Sequence, residues 1–413
     1  MKEIIVVGAG AAGMMAAGAA ARQGARVILL EKKNRVGSKL RITGKGRCNI
    51  TADVDLEELI KGYPGNGRFL YSALNELSNY DLIRFFNERG LATKTERGNR
   101  VFPVSDKASD VVQVLYDNAI RAGVKIHTSN TVKSLQIDNQ CVTGVVTESG
   151  MWSADAVILT TGGMSYPGTG STGDGYEWAL QAGHKITPPR PGLVPLVVNE
   201  SWIGELQGLS LKNVEATAFT EAGKKINQDF GEMLFTHYGL SGPIVLSMSH
   251  DIGLYLYRQQ KPVVFKIDLK PALSEVKLDD RVQRDLAKFS RKQFKNSLSE
   301  LLPAKMIPVM VNLSGIDPEK ECHQITRTER FRLVTLLKNF TLTVTDTRPI
   351  SEAIVTAGGV VVKEVNPKTM ESKLVKGLYF AGEVLDVDGY TGGYNLQAAF
   401  STGYTAGKHA AES

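Results

Sequence analysis

Cysteine is scarce in this sequence of 413 residues. The three cysteines, Cys48, Cys141 and Cys322, lie far apart and form no CxxC pair. This spacing argues against a zinc site and against a disulfide framework, and it favours a reducing cytoplasm as the location. The few histidines also show no metal-ligand spacing with a carboxylate, so no metal is predicted.

Long hydrophobic runs are lacking as well. The uncharged stretch 4–21 comes closest, but it is rich in alanine and glycine, and its glycines fall where a strand, turn and helix need them. We therefore interpret it as neither a signal sequence nor a membrane span, and no membrane partner is expected.

Neither sign of charge dominates, and no internal repeat or low-complexity segment is found. The net charge of +6 is typical of a surface with some excess of lysine, and binding of a polyanion is the alternative. Hydrophobic residues make up 42% and charged residues 22%, which is ordinary globular usage. At this length, two or three folding units are expected.

The first residues predict a dinucleotide-binding βαβ unit. Residues 2–7 resemble a buried strand, and the glycine-rich turn GAGAAG and a helix to about residue 24 follow. The three glycines of such a turn allow a tight bend, close approach of a pyrophosphate and close packing of the helix on the strand. After a second strand over 25–30, Glu31 can accept hydrogen bonds from both hydroxyls of a ribose.

Later segments favour FAD over NAD. Residues 39–49 form a glycine-rich cationic loop, with Arg41, Lys45 and Arg47 as charge partners for a pyrophosphate or a flavin edge. Residues 155–163 predict a buried strand that ends in two glycines. Residues 377–386 predict another strand, which ends in an acidic turn and is followed by glycines and an Ala/Gly-rich helix.

Four strings carry a resemblance to a known family. They are RITGKGRCN (41–49), TGSTGDGY (169–176), LFTHYGLSGP (234–243) and GEVLDVDGYTGGYNLQ (382–397). They resemble the bacterial BaiN/YhiN (aminoacetone oxidase-like) flavoproteins, and the resemblance covers nearly the whole chain. It implies an α/β fold of the two-dinucleotide-binding-domain flavoprotein type. That fold has a Rossmann-like FAD/NAD(P)-binding domain, an inserted β-barrel domain and a small helical domain.

The same resemblance implies FAD as the cofactor, with both ends of the chain forming one site. In such flavoproteins a carboxy-terminal strand brings an acidic residue to the ribityl chain, and a helix N-terminus faces the pyrimidine end of the flavin. The predicted cofactor-binding residues lie in the glycine-rich turns or at strand ends. They are Gly8, Gly10, Ala11, Ala12, Gly13, Glu31, Lys32, Lys39, Arg41, Thr43, Gly44, Gly46, Arg47, Cys48, Asn49, Val132, Thr161, Gly162, Gly163, Asp174, Gly382, Glu383, Asp386, Gly392, Gly393, Tyr394, Asn395 and Leu396.

The domain boundaries follow from changes in pattern. The FAD-binding domain is predicted over 1–190 and 350–413, and a proline cluster near residue 190 marks the exit from it. Short alternating segments predict a β-rich substrate domain over 191–273 and 341–349. Residues 274–340 show a helical pattern with a basic stripe (Arg281, Arg284, Lys288, Arg291, Lys295), which is typical of a solvated face, with RNA contact as the alternative.

Three residues are candidates for proton transfer. His237 precedes a glycine-rich turn of the inserted domain and can protonate a substrate atom, while hydrogen bonding to a turn carbonyl is the alternative role. Tyr238 and Tyr394 are further candidate acids, although simple packing is the commoner use of tyrosine. Cys48 has no partner cysteine nearby in sequence, so it is interpreted as a residue that lines the flavin site.

The family resemblance leaves three activities open. They are reduction of a conjugated C=C bond of the 3-oxo-Δ4/Δ4,6 bile-acid or steroid type, dihydrouridine formation in ribosomal RNA, and aminoacetone oxidation with release of hydrogen peroxide. We favour the first, with a small molecule as substrate and RNA as the alternative partner. NAD(P)H is expected as an external electron donor, although an obvious second GxGxxG directly after a predicted strand is missing. The oligomeric state is left open.

Overall fold

The computed structural model describes residues 1–412, which divide into two compact units. Unit 1 comprises Met1–Gly192 and the chain from Ile350 onward, and unit 2 comprises Leu193–Pro349. Among the described residues, no helix is both long enough and apolar enough to cross a membrane.

The strands of unit 1 share one main sheet and several small ones. They are β1 (Glu3–Val7), β2 (Arg26–Leu30), β3 (Thr51–Ala52), β4 (Thr93–Glu96), β5 (Arg100–Pro103), β6 (Lys125–His127), β7 (Val132–Asp138), β8 (Cys141–Thr147), β9 (Gly150–Ser153), β10 (Ala156–Leu159), β11 (Ile186–Gly192), β18 (Val355–Val360) and β19 (Leu378–Phe380). Unit 2 contributes β12 (Leu196–Val198), β13 (Ser210–Thr220), β14 (Lys225–Phe235), β15 (Gly239–Ser241), β16 (Val263–Asp268) and β17 (Phe340–Thr347).

The helices follow the same division. Unit 1 holds α1 (Ala11–Arg22), α2 (Leu56–Lys61), α3 (Tyr71–Glu76), α4 (Asn79–Glu88), α5 (Ala108–Arg121), α6 (Asp174–Gln181) and α11 (Tyr394–Glu412). Unit 2 holds α7 (Pro243–Gln259), α8 (Glu275–Lys288), α9 (Ile307–Ser314) and α10 (Arg327–Lys338).

The main sheet of unit 1 is parallel, in the order β19-β10-β1-β2-β6. Its central strands are buried almost throughout, as expected for a parallel sheet that is covered on both faces. On one face α11 packs closely on α1, because Gly403 and Gly407 lack side chains. An added Cβ would lie 2.4 Å from the carbonyl oxygen of Ala12 and 2.1 Å from that of Ala16, respectively.

The proline cluster near residue 190 forms a strand. Strand β11 pairs antiparallel with β18, and the pairing shifts between Thr187 and Arg190, where Pro188 and Pro189 lie. Proline has no N–H to donate, so it is tolerated in a two-stranded edge at such an irregularity. The prolines therefore close unit 1 with a short sheet before the chain enters unit 2.

Unit 2 contains a closed barrel in the order β12-β15-β14-β13-β16-β17. All of its strand pairs are antiparallel, and alternate residues of β16 point into a core that includes Phe235, Phe265 and Phe340. This finding confirms the expected β-barrel. The assignment of residues 274–340 as a separate domain stays a prediction.

The basic stripe needs a correction. Helix α8 ends at Lys288, so Arg291 and Lys295 do not lie on it. Carboxylates also neutralise much of the stripe: Arg281 pairs with Asp285 within the helix, and Lys288 pairs with Glu300 at 2.6 Å. The charges are therefore those of a solvated and internally paired surface.

Glu329 should make the stability of the protein depend on pH. It forms a capping box with Thr326 at the start of α10, and the ammonium of Lys320 donates to both carboxylate oxygens at 2.8 and 2.9 Å. These bonds, with that of Lys320 the largest, lower the pKa of Glu329 from 4.5 to about 2. The ionised carboxylate of Glu329 therefore stabilises the folded protein above pH 4.5, and this contribution is lost as the pH falls towards 2.

We expect Glu329→Gln to lower the free energy of unfolding by about 1 kcal/mol at pH 7, and by less than half of that at pH 3. Urea unfolding at the two pH values measures the difference. Glu319→Gln is the matched control, because its pair with Lys295 is more exposed. An equal loss for Glu329→Gln at both pH values would contradict the assignment.

Candidate functional site

The carboxyl ends of the parallel strands bring the predicted residues of unit 1 to one edge. Gly8 follows β1, Glu31 follows β2, Thr161 lies two residues beyond β10, and Gly382 lies two residues beyond β19. Ligands of open α/β sheets bind at this edge. Four segments that are far apart in sequence therefore meet where a dinucleotide is expected.

The glycine turn after β1 has the shape of a phosphate cradle. Gly8 has φ +102°, and a Cβ on Gly13 would lie 1.8 Å from the carbonyl oxygen of Gly8, so both positions require glycine. A Cβ on Gly10 would instead meet no atom within 4 Å. Ala11 and Ala12 then form the first turn of α1, which contains no acidic side chain. The space at Gly10 and the free N–H groups of this turn suit an anion.

Glu31 is fixed at the end of β2 by backbone donors. One carboxylate oxygen accepts from the N–H of Ala9 at 2.9 Å and the other from the N–H of Lys33 at 2.8 Å. Burial raises the pKa of Glu31, while the two backbone bonds and the lysines at 32 and 33 act in the opposite direction. Each oxygen keeps a lone pair for a further donor, so the geometry fits a ribose diol.

Three buried polar atoms at predicted positions have no partner among the described residues. They are Arg41 Nε, Asn49 Oδ1 and Thr161 Oγ1. Buried polar groups in folded proteins are nearly always hydrogen-bonded, so these atoms mark a place where a ligand supplies the missing partners. FAD carries hydroxyl, carbonyl and ring nitrogen atoms of both hydrogen-bonding kinds. The residues present therefore fit this cofactor.

The loop between Arg41 and Asn49 has an irregular backbone. Thr43 Oγ1 donates to the carbonyl of Leu40 at 2.7 Å. After it, Gly44, Lys45 and Gly46 all have positive φ, at 56°, 58° and 85°. This run of left-handed residues turns the chain sharply without side-chain bulk at the two glycines.

Arg47 and Cys48 have roles that the sequence did not reveal. The guanidinium of Arg47 pairs with Glu96 and Asp106 and lies over the ring of Phe102 at 4.1 Å. Cys48 is fully buried, and burial raises the pKa of its thiol to about 12. The thiol is therefore neutral at physiological pH and unsuited to redox catalysis. Direct contact of either residue with the cofactor stays a prediction.

Lys39 and Glu383 form an ion pair across the sheet edge. The ammonium donates to Glu383 Oε2 and to Ser165 Oγ, both at 2.6 Å. Glu383 Oε1 accepts from the backbone N–H of Thr356 at 2.7 Å and from Ser165 Oγ at 3.1 Å. Protein donors thus occupy much of the carboxylate that was predicted to reach a ribityl chain, and the pair ties together the loops after β2, β10 and β19.

Two further acids at predicted positions are also engaged. Lys32 pairs with Asp174 at 2.7 Å. Thr187 Oγ1 donates to Asp386 at 2.7 Å, and burial raises the pKa of Asp386. Val132 is the buried first residue of β7.

The glycines after residue 160 are shaped by close contacts. Gly162 has φ +74°, and a Cβ on Gly163 would lie 2.3 Å from Thr356 Oγ1. Both positions therefore exclude a side chain, and the loop stays tight against β18.

Close backbone packing and one side-chain amide hold the segment before α11 in place. Gly392 and Gly393 have φ of 134° and 102°, and a Cβ on Gly393 would lie 2.5 Å from the carbonyl carbon of Thr51. The Asn395 amide both accepts from and donates to the backbone of Gly389 at 2.8 Å. Leu396 packs on the core of unit 1. These contacts fix where α11 begins.

The three proton-transfer candidates lie in both units. Tyr394 starts α11 in unit 1, where its ring packs edge-on against Tyr63 at 5.8 Å and burial raises its pKa. His237 and Tyr238 belong to unit 2. His237 is exposed, and the guanidinium of Arg348 lies 4.6 Å from the centre of the Tyr238 ring. Their catalytic roles stay predictions.

Sequence reasoning missed two threonines that build the site. Thr160 Oγ1 lies 2.8 Å from the carbonyls of Val7 and Gly8, and Thr356 Oγ1 accepts from the N–H groups of Met164 and Ser165. Thr160 directly precedes the predicted residues Thr161, Gly162 and Gly163, so its position in the sequence could have identified it. Thr356 had no comparable signal, because its partners lie about 190 residues earlier in the chain.

Comparison with known proteins agrees with this geometry. A family model described as HI0933-like protein Rossmann domain matches residues 2–409. The chain belongs to the HI0933-like family. The BaiN/YhiN resemblance is thereby confirmed, and so is the Rossmann-type FAD-binding fold class. FAD as the cofactor of a flavin oxidoreductase is supported at the level of the family.

Two curated relatives of this HI0933-like protein match it over nearly its whole length. A 3-dehydro-bile acid delta(4,6)-reductase of Clostridium scindens is 35% identical over 416 residues, with 100% of both chains covered. A ribosomal RNA dihydrouridine synthase of Haemophilus influenzae is 34% identical over 408 residues, covering 97% of this chain and 96% of the relative. Both enzymes are proteins to which this chain is similar.

A solved structure shows the same fold at low identity. The 3-ketosteroid delta1-dehydrogenase of Sterolibacterium denitrificans superposes with a TM-score of 0.54 and 14% identity, with 100% of both chains covered. At this identity the likeness concerns the arrangement of helices and strands and not the reaction.

Proposed function

We propose that this protein is an FAD-dependent reductase of a carbon–carbon double bond conjugated with a carbonyl group. One observation carries the proposal. The two curated relatives are named for a bile-acid Δ4,6-reductase and for an rRNA dihydrouridine synthase, and both names imply reduction of such a bond. They match nearly the whole chain, so the shared step is a better guide than either substrate.

The residues of unit 1 would bind and orient the cofactor. The turn at Gly8, Gly10 and Gly13 would hold the pyrophosphate, and Glu31 would bind the ribose. Arg41, Asn49 and Thr161 would find partners for their buried polar atoms. FAD, when bound, would supply hydride chemistry.

The reaction needs one hydride at the β-carbon and one proton at the α-carbon. One double bond is lost, two C–H bonds form, and both electrons come from the reduced cofactor. We propose His237 or Tyr238 as the proton donor. The exposed ring of His237 can take up a new proton from solvent after each turnover.

A 3-oxo-Δ4 or Δ4,6 steroid-type small molecule is the substrate class we favour. Carboxylates pair with Arg281, Lys288 and Lys295 in the helical region, and this partial neutralisation favours a small molecule over a polyanion. The second candidate is dihydrouridine formation in ribosomal RNA, supported by the 34% identical relative. Aminoacetone oxidation stays a prediction, and the cytoplasm stays the predicted location.

Anaerobic reoxidation of the reduced holoprotein tests the proposal. We expect a 3-oxo-Δ4,6 steroid acid to reoxidise the flavin at least roughly tenfold faster than buffer alone, since hydride transfer to a conjugated bond is the proposed step. Stopped-flow absorbance of the flavin measures the rate, with a saturated steroid as control. Unmodified ribosomal RNA, and oxygen with aminoacetone, are the other two arms. If no conjugated substrate exceeds buffer, the proposed function is wrong.

A further inference from the structure

A cleft with two cationic residues lies between the loop after β2 and the loop after β10. Its volume is about 390 Å³, and it is lined by Lys33, Asn34, Arg35, Ser38, Ile42, Gly168 and Thr169. No acidic residue lines it. This volume is within the range of small-ligand sites.

The two cations of this cleft differ from most others near the site. Within the described residues, neither Lys33 nor Arg35 forms a salt bridge, whereas Lys32, Lys39 and Arg47 all do. The nearest acid in sequence is Glu31, whose carboxylate is held by backbone N–H groups. The walls of the cleft therefore carry two positive charges and no negative charge, although Lys33 also acts electrostatically on nearby Glu31.

The backbone under these cations is fixed. The N–H of Lys33 donates to Glu31, and the carbonyl of Lys33 accepts from the N–H of Ser129 at 2.8 Å. On the opposite wall, Thr169 Oγ1 donates to the carbonyl of Tyr166 at 2.7 Å. A ligand would therefore order little backbone at these two positions, and the exposed side chains of Asn34 and Arg35 would turn to meet it.

The cleft is separate from the cofactor cradle in its lining. None of the residues predicted to bind the cofactor lines it. It nevertheless begins two residues after Glu31, on the same edge of the sheet. A second nucleotide held there would start close to the ribose end of the cofactor site.

The donor set suits a phosphate group. Arg35 can donate through a planar fork, Lys33 adds a point charge, and the Asn34 amide adds a neutral donor. The exposed side chain of Ile42 offers an apolar surface on which a base can lie. A phosphomonoester on a nucleotide matches these features better than a neutral molecule does.

We propose that this cleft binds the 2′-phosphate of NADPH and so selects NADPH over NADH as the electron donor. The proposal rests on the proposed reductase function, which needs a source of electrons. The chain contains a second GxGxxG string, GTGSTG at 168–173, but it begins several residues after β10 and not directly after a strand as in a βαβ fingerprint, so a donor site of another kind is needed.

The test uses the holoprotein and the half-reaction in which a nicotinamide nucleotide reduces the bound flavin anaerobically. Arg35→Gln and Lys33→Gln should each raise the Kd for NADPH about tenfold, and should change the Kd for NADH less than about twofold. The limiting rate at saturation should stay unchanged. Arg97→Gln, which removes an exposed arginine elsewhere in unit 1, is the matched control.

Four results would each contradict the proposal. If the variants raise the Kd for NADPH and the Kd for NADH equally, the cleft does not bind the 2′-phosphate. If the variants lose FAD, the cleft belongs to the cofactor site, and if added RNA competes with NADPH in the wild type but not in the variants, the anion is RNA. If neither nucleotide reduces the wild-type flavin, no such donor site exists. Reoxidation of photoreduced protein by an enone needs no nucleotide, so failure of the proposed function is seen separately.

Discussion

Gly10→Ala is expected to weaken FAD binding about 100-fold while leaving the apoprotein as stable as the wild type. Gly10 has φ −82°, which alanine adopts readily, and its Cβ would meet no protein atom within 4 Å. The added methyl group would instead occupy the space that a pyrophosphate needs against the backbone, at a cost of about 2.7 kcal/mol in binding. Fluorescence titration with FAD and thermal unfolding of the apoprotein measure the two quantities.

Gly13→Ala should instead destabilise the apoprotein itself. Its Cβ would lie 1.8 Å from the carbonyl oxygen of Gly8 and 2.6 Å from Thr160 Oγ1, so the turn itself must move. We expect a loss of several kcal/mol in apoprotein stability, as for other overpacked sites. Gly204→Ala is the control, because a Cβ on that glycine of unit 2 would meet a single atom within 4 Å, at 3.8 Å.

The Gly10 prediction has its own contradicting outcome. If Gly10→Ala binds FAD as tightly as the wild type, this turn does not bind the phosphates.

Thr356→Val should lower the free energy of unfolding by about 3 kcal/mol. The two side chains have nearly the same shape, so packing is preserved. The change removes the acceptor of two backbone N–H groups, Met164 at 2.8 Å and Ser165 at 3.1 Å. Thr356 and Ser165 are fully buried, so water cannot replace the lost acceptor without opening the loop. Each buried donor left without a partner costs about 1–3 kcal/mol.

Urea unfolding of the apoprotein, followed by circular dichroism, measures this loss. Thr356→Ser keeps the hydroxyl and should recover most of the stability. Thr345→Val, at an exposed position of β17, should change the stability by less than about 0.5 kcal/mol. If valine and serine at position 356 have equal effects, the hydroxyl is not the stabilising group.

The parts of the site that could be predicted are those fixed by local backbone chemistry. The turn at Gly8 to Gly13 and the acid at Glu31 follow from strand, turn and helix signals within 31 residues. The structure places them at the edge of the sheet as expected. The barrel was expected chiefly from the family resemblance, because a pattern of short alternating strands does not show whether their sheet closes into a barrel.

The missed features depend on partners that are distant in sequence. Lys39 pairs with Glu383, 344 residues away, and local pattern could not show that Glu383 would be occupied by a protein cation. Arg47 was assigned to the cofactor from the charge of its loop, yet Glu96 and Asp106 come close enough to pair with it. The basic stripe was drawn too long because helical spacing continues beyond Lys288, where the helix ends.

The order of the main sheet has a consequence for synthesis on the ribosome. Strand β19 completes the sheet beside β10, and α11 packs on α1, so early and late parts of the chain depend on each other. A nascent chain that has finished β10 still exposes an unpaired strand edge until more than 200 further residues have emerged. Such long-range pairing slows folding and exposes apolar surface in the meantime. The main sheet of unit 1 is therefore complete only after β19 has been synthesised.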